Sequence, residues 1–380
     1  MSEGFPPFKP IALGLGAIFL AATGGASTPE RYTEANNIAS NFDVGTTLKP
    51  SWGSGDIAVA NSSDVVGAFR FICGAGQLRY DDPIVYPGQP GRSHLHQFYG
   101  NTGANANSTF ASLRASGDST CNNMGNSTAA NRSAYWIPAM LDGKGHVVQP
   151  DYVQVYYKRE PTGPGTPCDP ENPKRHGICV GIPNGLKFIF GFDMLSGNPR
   201  TQVGDYKCVG AGAKTVVARN IPDTAPNCTV GSHLVVTIHT PKCWDGKNLD
   251  SADHRSHLAG LPRDRNTGIM RCPKTHPYYM PTFTLGIFYR VGEGDDVSRW
   301  ELSSDHMYPN MPKGSTLHAD YFEAWDNAVK EMWIENCIGK KLNCSGGDLG
   351  NGRQLKGAAK PKYGWVNPDR LVPIPSGGMM

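Results

Sequence analysis

Two histidines one residue apart, His94 and His96 in GRSHLHQFYGN (residues 91–101), are the first residues whose spacing suggests chemistry. In an extended segment, positions i and i+2 share a face. Both imidazoles would then project together, as a bidentate metal edge or as a base and its partner. A second concentration is CWDGKNLDSADHRSHLAG (243–260), which holds Trp244, Asp245, Asp253, His254, Arg255 and His257 behind a cysteine. It follows the strand-like HLVVTIHT and reads as a long loop, where binding groups gather. A third is His318 with Asp320, in LHADYFEAWD (317–326). His94, His96, Asp253, His254, Arg255, His257, His318 and Asp320 are therefore the candidate catalytic set. His94, His96, His257 and His318 would be the ligands if a single divalent metal ion is the cofactor. Trp244, Asp245, Tyr99 and Tyr135 are candidates for binding a sugar, the rings by stacking.

These groups need a scaffold, and the alternation of the chain supplies one. GAFRFIC (ending at 73), YVQVYYKR (152–159), LKFIFGFDML (186–195), HLVVTIHT (233–240) and FTLGIFYRV (283–291) have strand length and β-branched or aromatic content. Each is bounded by Gly, Pro, Asn or Asp. With 46 glycines and 30 prolines in 380 residues, and no periodic helix between these runs, the pattern predicts a mainly β fold. It is read as a single β-sandwich or jelly-roll-like domain with long disulfide-stapled loops. One long helix is expected over 315–337, where His318, Phe322, Trp325, Val329 and Met332 recur at helical spacing. A histidine in its first turn would be kept neutral by the helix dipole. A shorter helix is expected over 108–115.

The domain organisation follows from composition. Residues 1–26 read as an export signal, with a lone lysine, an apolar run and the small residues Gly24-Gly25-Ala26. Residues 27–60 form an N-terminal arm, 61–345 the β-rich domain, and 346–380 a weakly ordered tail. The ten cysteines form an even set without a C-x-x-C pair, and after an export signal they favour disulfides. The simplest connectivity joins neighbours: 73–121, 168–179, 208–228, 243–272 and 337–344. A secreted or periplasmic location follows, with no membrane span once the signal is removed. Net charge is +3 without a dense basic run, which argues against a nucleic-acid partner. No G-x-S-x-G, H-E-x-x-H, P-loop or dinucleotide fingerprint occurs.

Taken together, DDPIVYPGQPGRSHLHQFYGNT (81–102), NRSAYWIPAM (131–140), CWDGKNLDSADHRSH (243–257), CPKTHPYYMP (272–281) and LHADYFEAWD (317–326) resemble the blocks of the family DUF1996. That resemblance implies a secreted protein. Some fungal members carry cell-wall or carbohydrate-binding modules beside this domain, which implies a polysaccharide setting by association. The leading expectation is an exported, glycan-cleaving enzyme. As a hydrolase it would use a carboxylate pair such as Asp253 and Asp320. As a lyase it would use a neutral histidine as base, Arg255 against a uronate carboxylate and a tyrosine as acid. Two alternatives stand beside it: a mononuclear metal enzyme, and a non-catalytic carbohydrate-binding or envelope-surface module.

Overall fold

The computed structural model describes residues 37–51, 66–121, 129–197, 204–356 and 366–378. The export signal expected over 1–26 lies outside the described residues. Two antiparallel sheets, formed by eleven strands, set the architecture. In chain order these are β1 (Gly67–Cys73), β2 (Leu78–Arg79), β3 (His96–Gly100), β4 (Ala134–Pro138), β5 (Tyr152–Arg159) and β6 (Lys187–Gly191). They continue with β7 (Gly204–Val209), β8 (His233–His239), β9 (Thr282–Arg290), β10 (His318–Phe322) and β11 (Asn343–Ser345). The first sheet has the order β6-β10-β4-β3-β2 and the second β7-β8-β9-β5-β1-β11. Only β11 runs parallel to its neighbour, β1. The fold is mainly β, as the alternation implies, and the expected strands at 152–159, 233–240 and 283–291 match β5, β8 and β9 within a residue.

The two sheets pack face to face. From the first, Tyr135, Phe188 and Tyr321 point inward; from the second, Tyr157, Phe283 and Leu285 meet them, all buried in one core. The Tyr321 and Phe283 rings lie 4.8 Å apart, edge to face, a geometry that the aromatic quadrupole favours. The Tyr135 and Tyr157 hydroxyls are 2.7 Å apart, so the polar tips of these core tyrosines satisfy each other.

The side-chain period of two then decides what the other face of the first sheet carries. Phe98, Trp136, Ile189 and Phe322 form a separate cluster there. The register aligns Ile189, Asp320, Trp136 and Phe98 across four strands. Residues at even spacing from this row, His96 on β3 and His318 on β10, share its face. Loops close over this face, so both sides of the sheet are buried.

That double burial corrects the expected helix over 315–337. His318–Phe322 is strand β10, paired with β6 on one side and β4 on the other. Leu317, Ala319 and Tyr321 enter the sandwich core, while His318, Asp320 and Phe322 face away from it. With apolar and polar residues buried on both faces, the alternation that marks a half-exposed strand is lost. The helix begins only at α2 (Asn327–Met332), whose N-cap Asp326 accepts from Val329 N, and continues as a π-helical segment over Trp333–Gly339. The shorter helix is α1 (Phe110–Ala115), started by a capping box between Thr109 and Ser112.

Described parts of the expected tail, 346–380, pair with the rest of the fold. Arg353–Leu355 pairs with Leu48–Pro50 of the arm, and Leu371–Pro373 pairs with His146–Val148. Leu349 and Leu355 are buried in the main core; their apolar side chains explain the ordering that Gly-rich composition obscured. All five disulfides join the neighbours expected. Among the described residues no helix is long and apolar enough to cross a membrane.

Candidate functional site

Three of the four candidate ligands converge on the outer face of the first sheet. One ligand-capable atom from each of His94, His96 and His318 lies within 4.8 Å of the other two. Ring centroids are 4.2 Å apart for His94 and His96, 5.1 Å for His94 and His318, and 6.1 Å for His96 and His318. The sheet register explains the convergence: His96 sits opposite Pro138, and the register of β10 on β4 brings position 318 to the other side of that proline. The two imidazoles reach over Pro138 toward each other, and His94, one step before β3, closes the triangle.

The ring orientations are fixed from behind. His96 Nδ1 is 3.0 Å from the Asp81 carbonyl oxygen and His318 Nδ1 is 2.8 Å from that of Thr316. A carbonyl only accepts, so each Nδ1 carries the proton and donates it. Each Nε2 is left as a bare lone pair. Nε2 of His94 and of His96 is buried without a hydrogen-bond partner. Backbone carbonyls that hold the far nitrogen of a ligating histidine are a recurrent feature of metal sites.

Electrostatics keep the cluster neutral. Burial pushes His318 down to about 3, with His96 adding to the effect. Burial, then the adjacent His96 and His318, holds His94 well below its ordinary value. Burial also lowers His96, although Asp82 and Asp81 oppose it. Neutral imidazole is the form that a metal requires. It is not the helix dipole that does this, because His318 stands on a strand; desolvation does.

Asp320, two residues along β10 from His318, faces the same way. Its two carboxylate oxygens are buried without hydrogen-bond partners, and burial raises it well above the usual carboxylate range, Asp82 adding and Arg255 opposing. Arg255 reaches in from the 243–260 loop and donates to the carbonyls of Phe192 (2.7 Å) and Gly191 (3.2 Å) at the end of β6. Its Nε is 3.8 Å from Asp193. A cavity of about 190 Å³ is lined by Asp82, Tyr86, His94, Arg255, His318 and Asp320 among others. It adjoins a second, of about 270 Å³, through the shared Tyr86, Ser93, His94 and Met307.

The other candidates serve the frame. Asp253 Oδ1 accepts from Ser251 Oγ, Arg255 N and Ser256 N, so it organises a turn, and it is not among the residues that line the cavity with Asp320. His254 is held at φ +56° with its Nδ1 2.8 Å from Asp250 Oδ1. His257 is buried, with Nδ1 2.8 Å from Ser251 Oγ, and stands outside the triad. Trp244 is 1 % exposed and its Nε1 donates to the Asn248 carbonyl; Asp245 caps the turn at Lys247 and Asn248. Tyr99 and Tyr135 are core residues. None of these three rings offers a face to a sugar. Asp82 and Met307 were not singled out from sequence. Asp82 lies in the block before the histidines but carries no spacing signal, and its Oδ1 also accepts from Ile84 N and Val85 N.

No curated protein and no solved structure matches the chain. The family model described as "Domain of unknown function (DUF1996)" matches residues 82–325, the span that carries His94, His96, Arg255, His318 and Asp320. The chain belongs to the DUF1996 family.

Proposed function

We propose that the protein is an exported mononuclear metal enzyme, with His94, His96 and His318 as the ligands and Asp320 and Arg255 facing the substrate. The observation that carries this reading is the convergence of three imidazoles kept neutral by burial, with Nδ1 of His96 and of His318 pinned by backbone carbonyls and Nε2 of His94 and of His96 without partners. Three histidines with an open position suit zinc, copper, iron or nickel better than magnesium or calcium. A bound divalent ion would supply a Lewis acid. The chain's own contribution is to hold the rings, exclude water with the 81–93 and 250–260 loops, and present the unpartnered Asp320 carboxyl for proton transfer. Arg255 keeps a cation beside the same cavity, where an anionic or carbonyl oxygen of a small substrate would be received.

The test is metal analysis after purification without added metal, followed by titration of the stripped protein. One equivalent should bind, and His96→Ala and His318→Ala should each lose it by at least about 100-fold while near-UV circular dichroism keeps its native form. Absence of stoichiometric binding of all four metals would overturn the reading. A second reading has one observation in its favour: Tyr86 and Arg255 line the same cavity as His94 and His318. That is the acid, neutraliser and base set of a uronate-glycan lyase working without metal. Unsaturated uronate released by chelated protein would select it.

A further inference from the structure

Away from the histidine cavity, three chemically complementary side chains meet in the apolar interior. Lys330 on α2 is 2 % exposed, and Asn184 and Glu323 are 0 % exposed. Lys330 Nζ lies 2.5 Å from Asn184 Oδ1 and 2.8 Å from Glu323 Oε1. Glu323 is fixed by backbone. Glu323 N donates to the Leu186 carbonyl, Glu323 Oε2 accepts from Gly185 N, and Oε1 accepts from Trp325 N. Asp326, which caps α2, is itself paired with the buried Arg114. Trp325, Val329 and Leu186 belong to the surrounding core.

A lysine sealed in such a place is costly as a cation. A buried ion pair recovers its desolvation only in part, and proton transfer from Lys330 to Glu323 would replace two buried charges by two neutral groups. Burial lowers the Lys330 amine, while Glu323 opposes it. The neutral amine is a nucleophile, and the amide carbon stands beside it. With a C=O bond of about 1.23 Å and Nζ 2.5 Å from Oδ1, Nζ is about 3 to 3.7 Å from Asn184 Cγ, at or near the separation of a near-attack conformer.

We propose that Lys330 and Asn184 form an intramolecular isopeptide bond, with Glu323 as the proton carrier. Lys330 Nζ attacks Asn184 Cγ and the Nζ–Cγ bond forms. Glu323, having taken one proton from Nζ, passes it to Nδ2 of the tetrahedral intermediate. The Cγ–Nδ2 bond breaks, Nδ2 leaves as ammonia, one of the two protons left on Nζ passes to the Glu323 carboxylate, and the other remains as the amide N–H. Nothing is oxidised or reduced and no co-reactant is needed. The cross-link joins positions 146 residues apart, tying the segment that enters β6 to α2 across the end of β10. It would brace the edge strand β6 against β10, which carries His318.

The experiment is mass spectrometry of the full chain, deglycosylated and with its disulfides reduced and alkylated. The expected result is a mass lower than the formula value by about 17 Da, one ammonia. A branched peptide should contain both Asn184 and Lys330, with tryptic cleavage after Lys330 blocked. Lys330→Arg and Glu323→Gln should each restore the full mass. Because those variants bury a changed group and can misfold, the wild-type digest decides. Recovery of Asn184 and Lys330 in separate, unmodified peptides would overturn the proposal. So would the same mass loss without a branched peptide, which would mark a succinimide instead.

Discussion

Gly191 is where the fold and the site are most tightly coupled, and a single methyl group there tests the coupling. It ends β6 opposite His318 at φ +94°, and a Cβ would stand 2.6 Å from the Leu317 carbonyl oxygen, 2.8 Å from His318 Cα and 2.8 Å from Ile238 Cδ1. Nonbonded heavy atoms need about 3.5 Å, so β10 would have to withdraw from β6 by roughly 0.7 to 0.9 Å. The positive φ adds about 1–2 kcal/mol for any L-residue, and overpacking adds about 1–3 kcal/mol. Gly191→Ala should therefore cost about 2–5 kcal/mol in chemical denaturation with the disulfides intact. Gly210 supplies the control: its φ is +81° and nothing lies within 4 Å of its Cβ position, so Gly210→Ala should show only the conformational part. The displacement would also carry His318 away from His94 and His96, and metal ligation tolerates only about ±0.2 Å. Metal affinity should fall at least about 10-fold in Gly191→Ala and stay unchanged in Gly210→Ala. Equal stability and equal metal affinity in the two variants would refute the claim that this contact sets the position of His318.

Two further outcomes follow from the 243–260 loop. Replacing Cys243 and Cys272 by serine opens a 29-residue span and should cost about 3.5 kcal/mol on the chain-entropy account. Limited proteolysis should then cut near Arg255 first; a wild-type digestion pattern would count against the disulfide as the loop's anchor. The same loop should loosen in acid. Burial alone would raise Asp245, Asp250 and Asp253, but their hydrogen bonds outweigh it and hold all three below the ordinary value of 3.8. A depressed folded-state pKa means that the unfolded loop binds more protons, so this stabilisation is complete above about pH 5 and is lost as pH falls through and below about 4. Hydrogen-exchange protection of the Arg255 and Ser256 amides should drop across that window. Protection factors that stay flat from pH 6 to 3 would contradict it.

How much of this was legible in the sequence depended on how many faces of an element meet water. Strands β5, β8 and β9 lie in the second sheet and show alternating burial, for example in YVQVYYKR and TFTLGIFYR, and their period is visible. Strand β10 is buried on both faces, so its period vanished and the apolar run downstream made it look helical. The i, i+2 geometry of His94 and His96 could be read directly, because it needs only an extended backbone. His318 was found as a residue type but placed on the wrong element. The cross-strand register that brings it over Pro138 is a long-range pairing with no local signature. The density of polar groups at 250–257 misled for a related reason. Asp250, Asp253, His254 and His257 are mostly consumed by one another and by turn amides, and Arg255 alone from that loop reaches the cavity. Likewise aromatic residues near turns looked available to a sugar, whereas Tyr99, Tyr135 and Trp244 were needed to fill the core.

What marks the histidine cavity is how many unsatisfied buried groups gather there. Unpartnered buried atoms occur elsewhere too, such as His257 Nε2, Tyr289 Oη and Trp333 Nε1, while several buried charges are paired: Arg114 with Asp326, Lys330 with Glu323, His233 with Asp151. Around one cavity, by contrast, an inner nitrogen of His94, one of His96 and both oxygens of Asp320 lack partners together. Each unmade bond of this kind costs about 1–3 kcal/mol, and gathering four such atoms within one small space does not serve stability. The same fold fixes the back of two of the rings, His96 through the carbonyl of Asp81 and His318 through that of Thr316, and so leaves their front nitrogens no freedom to turn away and find a partner. Rigid orientation combined with missing satisfaction is what a bound ligand would resolve, and the proposed metal ion would do so for the imidazoles while a substrate group would meet Asp320.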